Sequence, residues 1–176
     1  MAETEVRAVS RTPSAEPPCG TVEGWLASAH PSPDTVRGEW RSVAKLALIP
    51  LGRAFDAVRL PERVVCRAVG STDLRTVCGR LADWLDNGPV IHDPGFLRYY
   101  ALVPPGSTGA WRASSAECLG DGTYLGVPPS DHTGLNHSTK ALYWAVPMAR
   151  PGGLCATVDV LALVTAGGCP TDEGES

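Results

Sequence analysis

Lysine is nearly missing from this 176-residue chain: Lys45 and Lys140 are the only two, and arginine supplies the other 13 of its 15 basic residues. There is no basic excess anywhere. Residues 1–20 carry three Glu against two Arg, residues 170–176 carry Asp172, Glu173 and Glu175, and residues 21–169 balance 13 basic groups against 13 acidic ones. A domain that grips a nucleic-acid backbone without sequence preference needs a cationic stripe, so the charge balance counts against strong non-specific DNA binding. Arg59, Arg63 and Arg67 are close enough in sequence to cluster locally. Long apolar runs are also lacking, which excludes a membrane-spanning helix, and no apolar leader segment precedes residue 20. The six cysteines form no Cys-x-x-Cys pair and no Cys/His zinc spacing. No P-loop, dinucleotide fingerprint, nucleophile elbow or zinc-protease motif is present. These absences lead us to expect a cytoplasmic protein with reduced thiols and no contact with a membrane.

What is there suffices for one domain. An apolar content of 43% and a mean hydropathy of −0.04 fit a chain that buries a real core. Residues 1–20, rich in Pro, Ser, Glu and Thr, read as a disordered tail, residues 21–169 as the domain, and residues 170–176 as an acidic tail. Thr21–His30 is expected to be a short helix capped by Thr21, with Trp25 and Leu26 inward and Pro31 and Pro33 ending it. Leu46–Pro50 and Ala54–Leu60 read as strands. Ser71–Gly88 is the clearest helix: Leu74, Val77, Cys78, Leu81, Trp84 and Leu85 recur at helical spacing behind a Ser71 or Thr72 cap. Cys78 is expected to be buried on that face. Val90–Asp93 and Leu97–Val103 read as strands, Trp111–Cys118 as a short amphipathic helix, and Thr157–Ala166 as a final helix with Leu161 and Val164 inward.

The densest polar chemistry lies in Gly120–Trp144. Thr123–Val127 is a short β-rich run ended by Pro128-Pro129, which cannot continue a ladder, and Lys140–Val146 is a second strand. Between them is the loop Pro-Pro-Ser-Asp-His-Thr-Gly. Ser130 and His132 are two apart, so extended geometry would point both to one face. A hydroxyl beside an imidazole suits a phosphate or another polar ligand. The bland alternative is a solvated turn in which Ser130 or Asp131 bonds its own backbone.

The run Tyr124-Leu-Gly-Val-Pro-Pro-Ser130-Asp-His132-Thr-Gly134, followed by Tyr143-Trp144, resembles the Ser-x-His segment of bifunctional primase–polymerase domains of the archaeo-eukaryotic primase superfamily. It is similar to a short, degenerate actinobacterial version of that domain, and the Arg-over-Lys bias with abundant Ala, Gly, Pro and Val is a compositional association with such GC-rich genomes. Leu97–Val103 followed by Pro104-Pro105-Gly106 also resembles the hairpin that precedes Ser-x-His, with Arg98 standing where the family commonly has His. The resemblance covers roughly residues 40–150. It implies an α+β fold, a two-layer domain with a mostly antiparallel sheet packed with helices. It also implies ligand contacts from Ser130, His132 and Arg98, with His132 on the phosphates of a nucleotide. The family's first metal motif, Asp-x-Asp, is matched only by Asp56, because Val58 replaces the second acid. Two metal ions about 3.5–4 Å apart need several carboxylates, so Asp56 is left as a contact for one Mg²⁺ or Mn²⁺ ion or for a ribose hydroxyl, or else as a strand-edge acid paired with Arg53 or Arg59. Arg98 holds phosphate or stacks on a tyrosine.

Three functions follow as expectations. The first is a degenerate primase–polymerase-like domain that binds a nucleotide or single-stranded nucleic acid without polymerising, its Ser130, His132 and Arg98 converging near Asp56. The second is a protein-interaction or regulatory module on the same scaffold, with an exposed apolar patch and no Arg/His group. The third is an enzyme using His132 or His137 with Asp131 or Asp121 as general acid and base.

Overall fold

The computed structural model describes residues 20–134 and 140–168. Both expected tails, apart from Gly20, and the segment 135–139 with His137 lie outside the described residues, as do Cys19 and Cys169. Helix α1 (Val22–Ser28) is capped as its sequence predicts: the Thr21 hydroxyl accepts from the Gly24 N–H at 3.0 Å. Leu26 is buried beneath it, and Trp25 stacks on Phe55 with ring centroids 5.9 Å apart. Helix α2 (Pro33–Arg41) follows at once. Pro33, read from sequence as a stop, instead opens this helix, because in the first turn a missing N–H costs nothing and proline's fixed φ already suits.

Strand β1 (Ala47–Pro50) pairs antiparallel with β6 (Tyr124–Val127) as a two-stranded ribbon. The main sheet is five-stranded and antiparallel, in the order β5-β2-β4-β3-β7. Its strands are β2 (Asp56–Pro61), β3 (Val90–Asp93), β4 (Arg98–Val103), β5 (Glu117–Leu119) and β7 (Tyr143–Val146). Helices α3 (Glu62–Val69) and α4 (Leu74–Trp84) connect β2 to β3, and α5 (Thr157–Gly168) follows β7. The α+β class and the mostly antiparallel sheet packed with helices agree with the expectation. No helix among the described residues is long and apolar enough to cross a membrane.

Alternation along the strands builds two cores. Val58, Leu60, Val90, Tyr99, Ala101 and Val103 face α3, α4 and α5. Ala57, Ile91, Leu102 and Trp144 point the other way, onto Leu26, Val36, Trp40, Ile49 and Val127 of α1, α2 and the ribbon. Both sheet faces are therefore covered. On the first face α5 lies so close to α3 that a Cβ on Gly167 would fall on the Val64 carbonyl.

Several elements differ from the sequence reading. Asp73, not Ser71 or Thr72, caps α4, its carboxylate accepting from the Thr76 N–H at 2.9 Å. Val77, Leu81 and Leu85 are buried as expected, while Cys78 is only half-buried and Trp84 reaches solvent. Residues 111–116 are not helical: the Trp111 indole N–H donates to the Ala116 carbonyl at 2.9 Å, closing a loop that delivers Glu117–Leu119 to the edge of β2. In α5 the buried stripe is Val160, Leu163, Val164 and Gly167, and Leu161 is 39% exposed, one position out of phase with it. Helix α3 escaped the reading altogether; it starts directly from the strand at Pro61 and stops at Gly70, whose φ of 71° is the left-handed cap glycine adopts without strain.

Candidate functional site

The Ser130–His132 loop is held by the strand beside it. Pro128 and Pro129 bring two carbonyls and no N–H, and the Trp144 indole N–H reaches both carbonyls, at 3.3 and 3.1 Å. The Trp144 backbone N–H donates to the His132 carbonyl at 2.7 Å, and the His132 N–H to the Pro129 carbonyl at 3.0 Å. Pro129 to His132 is thus a tight turn tied to β7, and its shape includes the backbone bonding that a plain turn would have. Its side chains do not face bulk solvent alone.

They form one wall of a cleft of about 350 Å³, whose other wall is Glu23 of α1, Arg37, Trp40 and Arg41 of α2, and Lys45. That volume is in the lower part of the range of small-molecule sites, about 300–1,000 Å³. Trp40 braces the wall, its indole N–H donating to the Val127 carbonyl at 2.9 Å. Arg37 and Arg41 are four apart and share one helix face. Three cations therefore meet two carboxylates, Glu23 and Asp131, beside Ser130 and His132. Arg37 is the least exposed of these cations whose pairing is resolved: its side chain is 11% exposed, Nη1 donates to Asp34 Oδ1 at 3.1 Å, and its buried Nε has no acceptor among the described residues.

Arg98 is elsewhere. It sits on β4 opposite Pro61 and Asp93, and its guanidinium lies over the Phe96 ring, 5.4 Å from the centroid, rather than over a tyrosine. Asp56 is opposite Val103, at the other end of β4, about 17 Å along the strand at roughly 3.4 Å per residue. The expected convergence of Ser130, His132 and Arg98 near Asp56 is not found: Asp56 shares a sheet face with Val58 and Leu60 under α3–α5, whereas the cleft opens on the α1–α2 side.

Asp56 is fully buried, Oδ2 accepts from the Thr108 N–H at 3.4 Å, and Oδ1 has no partner among the described residues. It pairs with neither Arg53 nor Arg59; Arg59 pairs instead with Glu117 across β2 and β5. An orphaned carboxylate oxygen is the one feature that suits a cation there. The rest does not: Val58 is buried in the core, an N–H donor is aimed at Oδ2, and among the described residues no group of three or more His, Cys, Asp or Glu is placed to hold a metal. The residues around Asp56 do not fit a two-metal centre. No hydrogen bond or ion pair among the described residues joins His132 to Asp131 or Asp121, so the His132 dyad of the third expectation is not formed, and its His137 alternative lies outside the described residues.

The sequence reading missed Arg37, Arg41 and Lys45, although an i, i+4 arginine pair was the available signal once Pro33 is recognised as a helix start. It also missed a buried polar cluster in the first core. His92 Nδ1 is 2.7 Å from the Tyr143 hydroxyl, its Nε2 is 3.1 Å from Glu62 Oε2, and its ring stacks on Tyr99 at 4.1 Å. The tautomer that satisfies all three groups has Nε2–H donating to Glu62 and Nδ1 accepting from Tyr143. Burial pushes the His92 pKa below its usual value, opposed in part by Glu62 and Asp93. Burial also pushes the Tyr143 hydroxyl up to about 12. None of these side chains lines the cleft.

Comparison with protein-family models, curated proteins and solved structures found no match.

Proposed function

We propose that this chain is a primase–polymerase-like domain without polymerase chemistry that binds a phosphate-bearing nucleotide between α2 and the Ser130–His132 turn. The observation that carries the reading is the cleft itself: Ser130 and His132 open onto Arg37, Arg41 and Lys45 in a space of ligand size. Ser130 and His132 supply a hydroxyl and an imidazole for hydrogen bonding, and the three cations supply attraction for phosphate oxygens. Arg98 has no part in this site. With Asp56 on the opposite face and Val58 in the core, the Asp56–Val58 strand supplies no carboxylate pair to position two metal ions. The neutral balance of residues 21–169 favours a mononucleotide over a long single strand.

Thermal unfolding with increasing nucleoside triphosphate tests the reading. At a hundredfold excess over Kd, binding to the folded state alone stabilises by about 2.7 kcal/mol, a rise in Tm of about 5–10 °C for a chain of this length. The rise is expected to disappear in His132→Ala. A wild-type Tm that does not move at millimolar nucleotide removes the reading.

A second reading, a protein-interaction module, has one observation in its favour: Phe96 and Leu97, at the β3–β4 turn, are 70% and 61% exposed. It predicts a protein partner whose binding is lost in the double variant Phe96→Ser/Leu97→Ser and unchanged in His132→Ala.

A further inference from the structure

Arg37 is held in an unfinished state. Its Nη1 is engaged by Asp34, an acid on the same helix whose side chain is 92% exposed, while Nε is buried with no acceptor among the described residues. Buried donors are rarely left unpaired, because leaving a hydrogen bond unmade costs more than a typical bond contributes. The guanidinium's Nε–Nη2 edge is the fork that meets two phosphate oxygens at once. Arg37 is also a wall of the cleft that holds Arg41, Lys45, Ser130 and His132. A modest swing of the guanidinium away from Asp34 and toward the cleft would give Nε its missing acceptor.

Resting on the nucleotide reading above, we infer that Arg37 grips the phosphate chain of the ligand, with Arg41 and Lys45 supplying further charge, and that Asp34 competes with that phosphate for the same guanidinium. Asp34 then sets a ceiling on affinity in the free protein. An exposed ion pair of this kind is weak, so its removal is a small and readable release rather than a collapse. The chemistry recognised is a polyphosphate, and the nucleoside adds contacts beyond it.

Isothermal titration of the full chain with inorganic tripolyphosphate and, separately, with ATP tests this. Arg37→Lys keeps the charge but loses the fork, and is expected to weaken both ligands by about tenfold or more. Asp34→Ala, at a side chain almost wholly in solvent, is expected to tighten both by about two- to fivefold. Circular dichroism confirms that each variant is folded. Tripolyphosphate binding that depends on Arg37, with ATP no tighter, supports the Arg37 grip and counts against a nucleoside-specific site. ATP binding that is lost in His132→Ala but unchanged in Arg37→Lys overturns this inference and leaves the nucleotide reading standing. An Asp34→Ala affinity equal to that of the wild type overturns the competition, and no binding of either ligand overturns both.

Discussion

Two tyrosines in one buried cluster are expected to respond in opposite senses to the same substitution. Tyr99 and Tyr143 both flank His92 in the first core, Tyr99 at 0% and Tyr143 at 4% exposure. The Tyr143 hydroxyl bonds His92 Nδ1 at 2.7 Å, whereas the Tyr99 hydroxyl is buried without a partner among the described residues. Burial pushes the Tyr99 pKa up, with Tyr143 next among the causes, so the group stays a neutral hydroxyl. Tyr99→Phe removes a polar atom whose desolvation nothing offsets and keeps the ring that stacks on His92. The penalty relieved is about 1–3 kcal/mol, reduced by whatever void the missing oxygen leaves. The expectation is a variant as stable as the wild type or more stable by about 1 kcal/mol, a Tm rise of about 2–4 °C. Tyr143→Phe strips the acceptor Nδ1 of its donor and is expected to cost about 1–3 kcal/mol. Urea unfolding at pH 7.5 reads both. Loss of more than about 1 kcal/mol in Tyr99→Phe would refute the reasoning, for it would mean that the hydroxyl has a partner such as an enclosed water.

The same cluster sets a pH dependence. Because the folded pKa of His92 lies below its ordinary value of 6.5, the folded state binds that proton less readily than the unfolded chain. The contribution is complete above about pH 6.5 and is lost as pH falls from there toward the folded value. Thermal unfolding between pH 5 and 8 should show this decline, and His92→Gln should flatten it. Gly167→Ala drives a methyl into the Val64 carbonyl at the α3–α5 contact and is expected to cost at least about 1–3 kcal/mol, whereas Gly79→Ala, with open space around it, should be stabilising by up to about 1 kcal/mol in mid-helix. Mg²⁺ or Mn²⁺ alone is expected to give no Tm shift that Asp56→Asn abolishes; a metal-dependent rise lost in that variant would restore Asp56 as a ligand.

The strands other than β5 were legible because their punctuation is chemical: Gly122 and Pro128 bracket β6, and Pro104 closes β4. The Ser130–His132 turn was legible for the same reason. Its opposite wall was not, since it rests on α2, and Pro33 carries the same letter whether it breaks a helix or begins one. Without α2, Arg37 and Arg41 are two isolated cations instead of a pair on one face. Asp56 shows the complementary limit. That Val58 spoils a metal motif is visible in the sequence, but which sheet face Asp56 occupies, and that it lies at the far end of β4 from Arg98, depends on register. His92 was passed over because its partners, Glu62 and Tyr143, lie 30 and 51 residues away in sequence.

The central claim, a phosphate-binding cleft between α2 and the Ser130–His132 turn, is tested most directly by titrating ¹⁵N-labelled protein with ATP and following the backbone amides. The account predicts saturable shifts concentrated at residues 37–45 and 130–134, and absent at Asp56, Thr108 and Arg98. Shifts centred on Asp56, or no shifts at millimolar ATP, would contradict it.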